Sequence, residues 1–203
     1  MLETLNAVDR ALFLFVNMTL ANPVTDLLMP VVTSDVLLRV GYGAAMVILL
    51  LRGDARVRRV VLFSAAALVL TDQLSSAVLK PLIARPRPCQ ALTDIHLLVA
   101  CGGGKAMPSS HAANAFGQAA LFALAAPRWR WLLLALAAVI ALSRVFVGVH
   151  YVGDVAVGTL LGAAIGTAAA QGYRWVETRM AERRARPGCI PPNESADGKK
   201  ARE

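Results

Sequence analysis

Three short stretches of this chain carry residue types that could handle a phosphoryl group. In the last of them Ser143 and Arg144 are followed by His150 and then Asp154. A helix begun by His150 would put imidazole and carboxylate at i,i+4, on one face. A carboxylate held against one ring nitrogen fixes the tautomer and leaves the other nitrogen free to attack an electrophile. The plain alternative is a buried His–Asp pair that ties two helices together. The middle stretch is Met107, Pro108, Ser109, Ser110 and His111, directly before an apolar run. Proline followed by two serines reads as a helix start, where free N–H groups and the positive end of the helix dipole favour an anion. An ordinary N-cap explains the serines but not a histidine in the first turn.

The first stretch runs from Lys80 to Pro88 and includes Arg85 and Arg87. Prolines at 81, 86 and 88 disfavour helix at the residues before them, so the chain is expected to leave its helix extended here, with cations projecting from a fixed backbone. Alone, these cations are equally well read as binding lipid headgroups. Lys80, Arg87 and Arg144, donors at a helix start, a His–Asp pair and a second histidine together match what phosphoryl transfer requires. Asp72 and Ser143 are candidate supporting residues, Asp72 competing with a simple role in interhelical hydrogen bonding. His96 lacks a partner motif and reads as a loop residue. The run from Gly102 to Lys105 lacks the spacing and preceding strand of a nucleotide loop and reads as a flexible approach to Pro108. Trp129, Trp131 and Tyr151 fall at span ends, as interfacial anchors do.

The elements that position these residues must be membrane helices. Of 203 residues 57% are hydrophobic and 17% charged, with a mean hydropathy of +0.56, and the apolar residues come in blocks near the roughly 20 residues that cross a bilayer. Residues 36–51, 60–79, 112–126, 131–149 and 152–173 are the expected spans. The fold expected is an all-α, polytopic transmembrane bundle of five to six spans. Residues 1–22 read as an amphipathic interfacial helix or a further membrane segment, residues 23–176 as the membrane domain, and residues 177–203 as a polar, disordered cytoplasmic tail. A cleaved signal peptide is not expected, because the first residues are not basic. Gly158, Gly162 and Gly166, four apart, suit close helix contact.

The net charge of +8 follows the positive-inside rule and gives no cause to invoke nucleic acid. Arg52, Arg56, Arg58 and Arg59, then Arg128 and Arg130, then the tail from Arg174 onward share one side if the spans alternate. That side is the cytoplasm, and the three phosphate-handling stretches face the other. Cys89 and Cys101 lie in the loop assigned to the oxidising side and Cys189 in the cytoplasmic tail, a partition that predicts one disulfide between Cys89 and Cys101.

In these spacings the sequence resembles the type 2 phosphatidic acid phosphatase family, membrane relatives of the vanadium haloperoxidases. That pattern is Lys, six residues, Arg-Pro; Pro-Ser-Gly-His; and Ser-Arg, five residues, His, three residues, Asp. Here it is met by Lys80 and Arg87-Pro88, by Pro108 to His111 with Ser110 in place of glycine, and by Ser143-Arg144, His150 and Asp154. The resemblance implies that His150 is the nucleophile, Asp154 its orienting carboxylate and His111 the acid that protonates the leaving oxygen. Lys80, Arg87, Arg144, Ser109 and the backbone at Ser110 would hold the phosphoryl oxygens, and no metal or other cofactor is expected.

The implied partners are a phosphorylated lipid substrate and membrane lipids, with no obligate protein partner. The implied location is the bacterial inner membrane, with the site on the periplasmic or extracellular side and the C-terminus in the cytoplasm. Undecaprenyl pyrophosphate is the first substrate expected; phosphatidylglycerol phosphate, phosphatidic acid and lipid A 1-phosphate are the alternatives. A phosphotransferase and a non-catalytic lipid-binding or transport protein are the competing functions.

Overall fold

The computed structural model describes residues 2–185, all helix and connecting loop. Cys189 and the tail beyond residue 185 lie outside the described residues. Helix α1 (Leu2–Leu14) runs into one wide turn, Phe15–Thr19, and then bends by 113° into the next helix. That helix, α2 (Pro23–Val32), begins at a reciprocal cap: the Asn22 side chain accepts from the N–H groups of Val24 and Thr25 while Thr25 accepts from the Asn22 N–H. Pro23 at the first helical position has no N–H left to satisfy. Ser34 caps α3 (Asp35–Arg52) and Asp54 caps α4 (Ala55–Gln73).

Helix α4 passes through a widened turn at Leu74–Leu79 into α5 (Lys80–Ile83). This corrects the expectation of extended chain from residue 80. Pro81 would crowd a regular helix one turn back, and the widened turn before it gives the ring room. The chain leaves the helix only at Ala84, in the left-handed conformation at φ 54°, and is extended at Arg87 before the short α6 (Pro88–Ala91). Then follow α7 (Ser110–Ala125), α8 (Arg130–Phe146) and α9 (Val152–Ala185). Helix α9 has 34 residues, roughly 50 Å at 1.5 Å per residue, and so carries helix well past the boundary drawn at residue 176.

Helix α7 is central, packed against α9, α8 and α4, while α1 rests on α9, α2 on α8 and α3 on α4. Ser109, Ala113 and Gly117 of the α7 stretch turn their carbonyls onto Gly158, Gly162 and Gly166 of α9 so closely that an added methyl group at any of the three glycines would collide. Two apolar clusters fill the interior, one around Phe13, Ala112, Val145 and Tyr151, the other around Val60, Ala67 and Leu121. Leu27, Leu51, Leu62, Trp131 and Leu160 face outward, the reverse of a water-soluble surface.

Among the described residues three helical stretches are long and apolar enough to cross a membrane: Ala55–Ala91, Pro127–Phe146 and Val152–Arg184. The bent α1–α2 pair makes a fourth if it counts as one span. The expected five to six are not reached by this measure, because α7 has only 16 residues and the 18-residue α3 carries Asp35, Arg39 and Arg52.

Candidate active site

The sequence makes a sharp corner between α8 and α9, and the site is built at it. Gly148 adopts φ +85°, and a side chain there would press on the His96 carbonyl. The N–H groups of Val149 and His150 both turn back to the Arg144 carbonyl. His150 therefore lies in the turn and not in the helix, a correction to the i,i+4 reading. It still faces Asp154: Nδ1 and Oδ2 are 3.6 Å apart, longer than a hydrogen bond, with His150 2% and Asp154 0% exposed. Asp154 is held from other directions, since its Oδ2 accepts the Tyr151 N–H at 2.8 Å and its Oδ1 accepts from Arg85 at 2.8 Å. Burial, reinforced by Arg144 and Arg87 and opposed by Asp154, pushes the His150 imidazole down to about 4, so the ring is neutral.

His150 opens onto a cleft of about 1170 Å³ whose polar wall includes Asp72, Lys80, Arg87, Ser110, His111 and Arg144. Lys80 comes from the end of the α4–α5 rod. Arg87 comes from the extended exit, where its Nε donates to the Gly104 carbonyl at 3.0 Å. Arg144 ends α8; it donates to the Thr33 hydroxyl, and its buried Nε has no partner among the described residues. His111 stands one residue into α7 with Nε2 3.2 Å from Asp35. Ser110 exchanges hydrogen bonds with Ser75 at 2.9 Å and Ser76 at 3.2 Å. The rest of the cleft is apolar, lined by Leu37, Leu38, Leu133, Leu136 and Ile140 among others.

Three of the expected catalytic, phosphate-binding and supporting residues do not line the cleft: Asp154, which stands behind His150, Ser109 and Ser143. The buried Ser109 caps α7 by accepting the Ala112 N–H, and its own N–H donates to the Asp154 carbonyl. Ser143 bonds the Ile140 carbonyl in its own helix. Asp72 lies on the wall, 3.5 Å from the Asn114 amide. Cys89 and Cys101 are joined as a disulfide, and the loop it closes contributes Ala100 and Cys101 to the cleft wall, followed by Gly102. Tyr151, read as an interfacial anchor, is buried edge-on against Phe13.

Sequence reasoning missed the contribution of the first 35 residues. Asp9 pairs with Arg85, Asn17 bonds backbone groups of His96, Val145 and Phe146, and Asp26 pairs with His96. The available signal was the persistence of lone polar residues (Asp9, Asn17, Asp26) within apolar surroundings.

An apolar helical bundle with a cleft that gathers Lys80, Arg87 and Arg144 has the form of a membrane protein with a site for an anion. The chain belongs to the PAP2 superfamily, whose family model matches residues 60–178, and it is therefore a phosphatase of the lipid phosphate class. It is 33% identical over 171 residues to lipid A 4'-phosphatase of Bacteroides thetaiotaomicron, covering 80% of this chain and 75% of that protein. It is 37% identical over 89 residues to undecaprenyl-diphosphatase of Sulfolobus acidocaldarius, covering 43% of each. The crystal structure of Aquifex aeolicus LpxE is similar with a TM-score of 0.64 at 25% identity, over 79% of this chain and 93% of that one. The Bacillus subtilis PAP2-type phosphatidylglycerolphosphate phosphatase shares the fold, with a TM-score of 0.62 at 23% identity over 85% and 87%.

Proposed function

We propose that the protein dephosphorylates a lipid phosphate or diphosphate through a phosphohistidine on His150, with undecaprenyl pyrophosphate as substrate. The observation that carries this reading is the buried His150–Asp154 corner opening onto a cleft that also holds Lys80, Arg87, Arg144 and His111. In the first step Nε2 of His150 bonds to phosphorus as the bond from phosphorus to the leaving oxygen breaks. His111 gives that oxygen a proton, and Asp154 stabilises the charge that develops on the His150 ring. In the second step water loses a proton to His111 and attacks phosphorus, the P–N bond breaks, and inorganic phosphate leaves. Lys80, Arg87, Arg144 and Ser110 hold the non-bridging oxygens, while Ser109 acts by fixing the start of α7.

A second substrate, a lipid A phosphate, is favoured by the identity to lipid A 4'-phosphatase over 80% of the chain. Phosphate release from purified undecaprenyl pyrophosphate, lipid A phosphates, phosphatidylglycerol phosphate and phosphatidic acid tests both readings. The highest kcat/KM is expected on undecaprenyl pyrophosphate; a higher value on lipid A moves the assignment to the second reading, and no release from any lipid overturns both. Turnover is expected to persist in EDTA and to be blocked by vanadate.

In the topology that accompanies this reading, α3 and α7 cross the membrane beside the three longer stretches, giving five spans, or six with the α1–α2 pair. Residues 23–176 form the membrane domain of a bacterial inner-membrane protein, with the cleft periplasmic or extracellular and the tail cytoplasmic. Support comes from the packing of α7 along α8 and α9, the arginines at the opposite end and the Cys89–Cys101 bridge at the cleft end. Single cysteines near Asp94, in a background lacking native cysteine, should react with an impermeant thiol reagent on intact cells, and those near Arg56 should not. The inverse pattern reverses the orientation.

A further inference from the structure

The first helix lies outside the segment that the family model matches, yet one of its side chains reaches the catalytic corner. Asp9 Oδ2 accepts from Arg85 Nη1 at 2.8 Å, and the same nitrogen donates to Asp154 Oδ1 at 2.8 Å. One guanidinium nitrogen therefore divides its two hydrogens between two carboxylates. The assembly is shielded, with Arg85 and Asp9 side chains 16% and 15% exposed and Asp154 fully buried. The Arg85 guanidinium also lies over the Tyr151 ring, 4.1 Å from its centre, and Phe13 from α1 packs edge-on against that ring.

Asp9 grips the same corner a second time. Its Oδ1 accepts the Gly153 N–H at 2.7 Å, one of the donors that the start of α9 leaves free. A side chain at position 153 would meet the Asp9 carboxylate at 2.7 Å, so glycine is what permits the approach. Asp9 thus holds both the arginine that fixes Asp154 and the backbone of the turn that carries Asp154.

We propose that Asp9 is a positioning residue for the reaction, acting through Arg85 and the first turn of α9 to fix the Asp154 carboxylate and so the orientation of His150. The inference rests on the reading of His150 as nucleophile given above. Two effects follow from removing the Asp9 charge. Asp154 then faces an arginine that no second carboxylate shares, so its electron density is drawn toward Arg85 and away from the His150 ring. The start of α9 also loses an anchor, so the His150–Asp154 geometry loosens. Neither change touches the residues that bind phosphate. The loss should therefore fall on kcat and leave KM nearly unchanged.

The test is steady-state turnover of the full chain in detergent micelles with a lipid phosphate that the wild type hydrolyses. Asp9→Asn is expected to lower kcat by about 10- to 100-fold, the range found for outer partners that orient metal-ligating histidines, with KM within about twofold. Asp9→Glu should recover part of the loss. The combined Asp9→Asn, Arg85→Gln protein should lose less than the product of the two single losses, because the two residues share the path to Asp154 while the Gly153 contact is separate. An Asp9→Asn protein with wild-type kcat, or one whose only defect is a lower melting temperature with full activity per folded molecule, overturns the proposal. If Asp9→Asn does not fold, Asp9→Glu carries the test by the same kcat-to-KM comparison. His150→Ala run in parallel separates the two layers: full activity there removes the nucleophile assignment, whereas an inactive His150→Ala beside an unaffected Asp9→Asn removes only the role of Asp9.

Discussion

The cleft houses two histidines in opposite ways. His150 sits in a turn, its carboxylate partner fully buried and gripped by Arg85 and a backbone N–H. His111 sits at the head of a helix, and the carboxylate nearest it, Asp35, belongs to the α2–α3 elbow with a side chain 62% exposed. A nucleophile profits from one fixed orientation. A group that must give up a proton and regain it profits from a partner that can swing away. The contrast between a locked corner and an open one is the division of labour that the proposed reaction needs.

Substitution should expose that contrast. His150→Ala should lower turnover by about 10⁵-fold or more, since no phosphohistidine can form; a variant within tenfold of wild type would mean that the locked corner is not the nucleophilic one. Asp154→Asn should cost about 10³- to 10⁴-fold, as for a buried carboxylate that orients a catalytic imidazole elsewhere, with trapping of radiolabelled phosphoenzyme slowed in proportion. A pH profile sharpens the comparison further. His150 must be neutral to attack, and its imidazole is pushed down to about 4, so activity should be retained as pH falls through the ordinary histidine value near 6.5 and be lost only closer to pH 4. At one unit below 6.5 this differs about tenfold from a normal imidazole, and an acid limb at 6.5 in kcat/KM would contradict the buried setting. Asp35→Asn should have the smallest effect, under about tenfold, because the Asp35 side chain is 62% exposed and solvent screens its half of the pair, although His111 is only 16% exposed. A hundredfold loss there would make the open corner as tightly built as the closed one.

Much of the site was legible because its residues form three short stretches with fixed spacing, and spacing survives translation from sequence to space. Lys80, Arg87, Ser110, His111, Arg144 and His150 line one cleft, and Cys89 meets Cys101. Ser109 and Ser143 misled because hydroxyls serve as helix caps and intrahelical bonds as readily as ligands. Asp9, Asn17, Thr33 and Asp35 were not legible as site residues, since their partners are roughly 75 to 145 positions away and no periodicity encodes such pairings. The count of spans is hard to read for a related cause: α7 owes its place to packing between neighbours, and its own 16 residues are short for crossing a bilayer.

The glycine contacts between α7 and α9 have a mechanical consequence. With backbone lying on backbone at Gly158, Gly162 and Gly166, these two helices have no side-chain layer in which to slip, and they act as a keel. The face of α7 that borders the cleft, with His111, Asn114 and Gln118, turns away from the face keyed to α9 by Ala113 and Gly117. The opposite wall is built differently: there α3 meets α4 through side chains, Tyr42 and Met46 on Ser64, and carries Leu37, Leu38 and Tyr42 into the cleft.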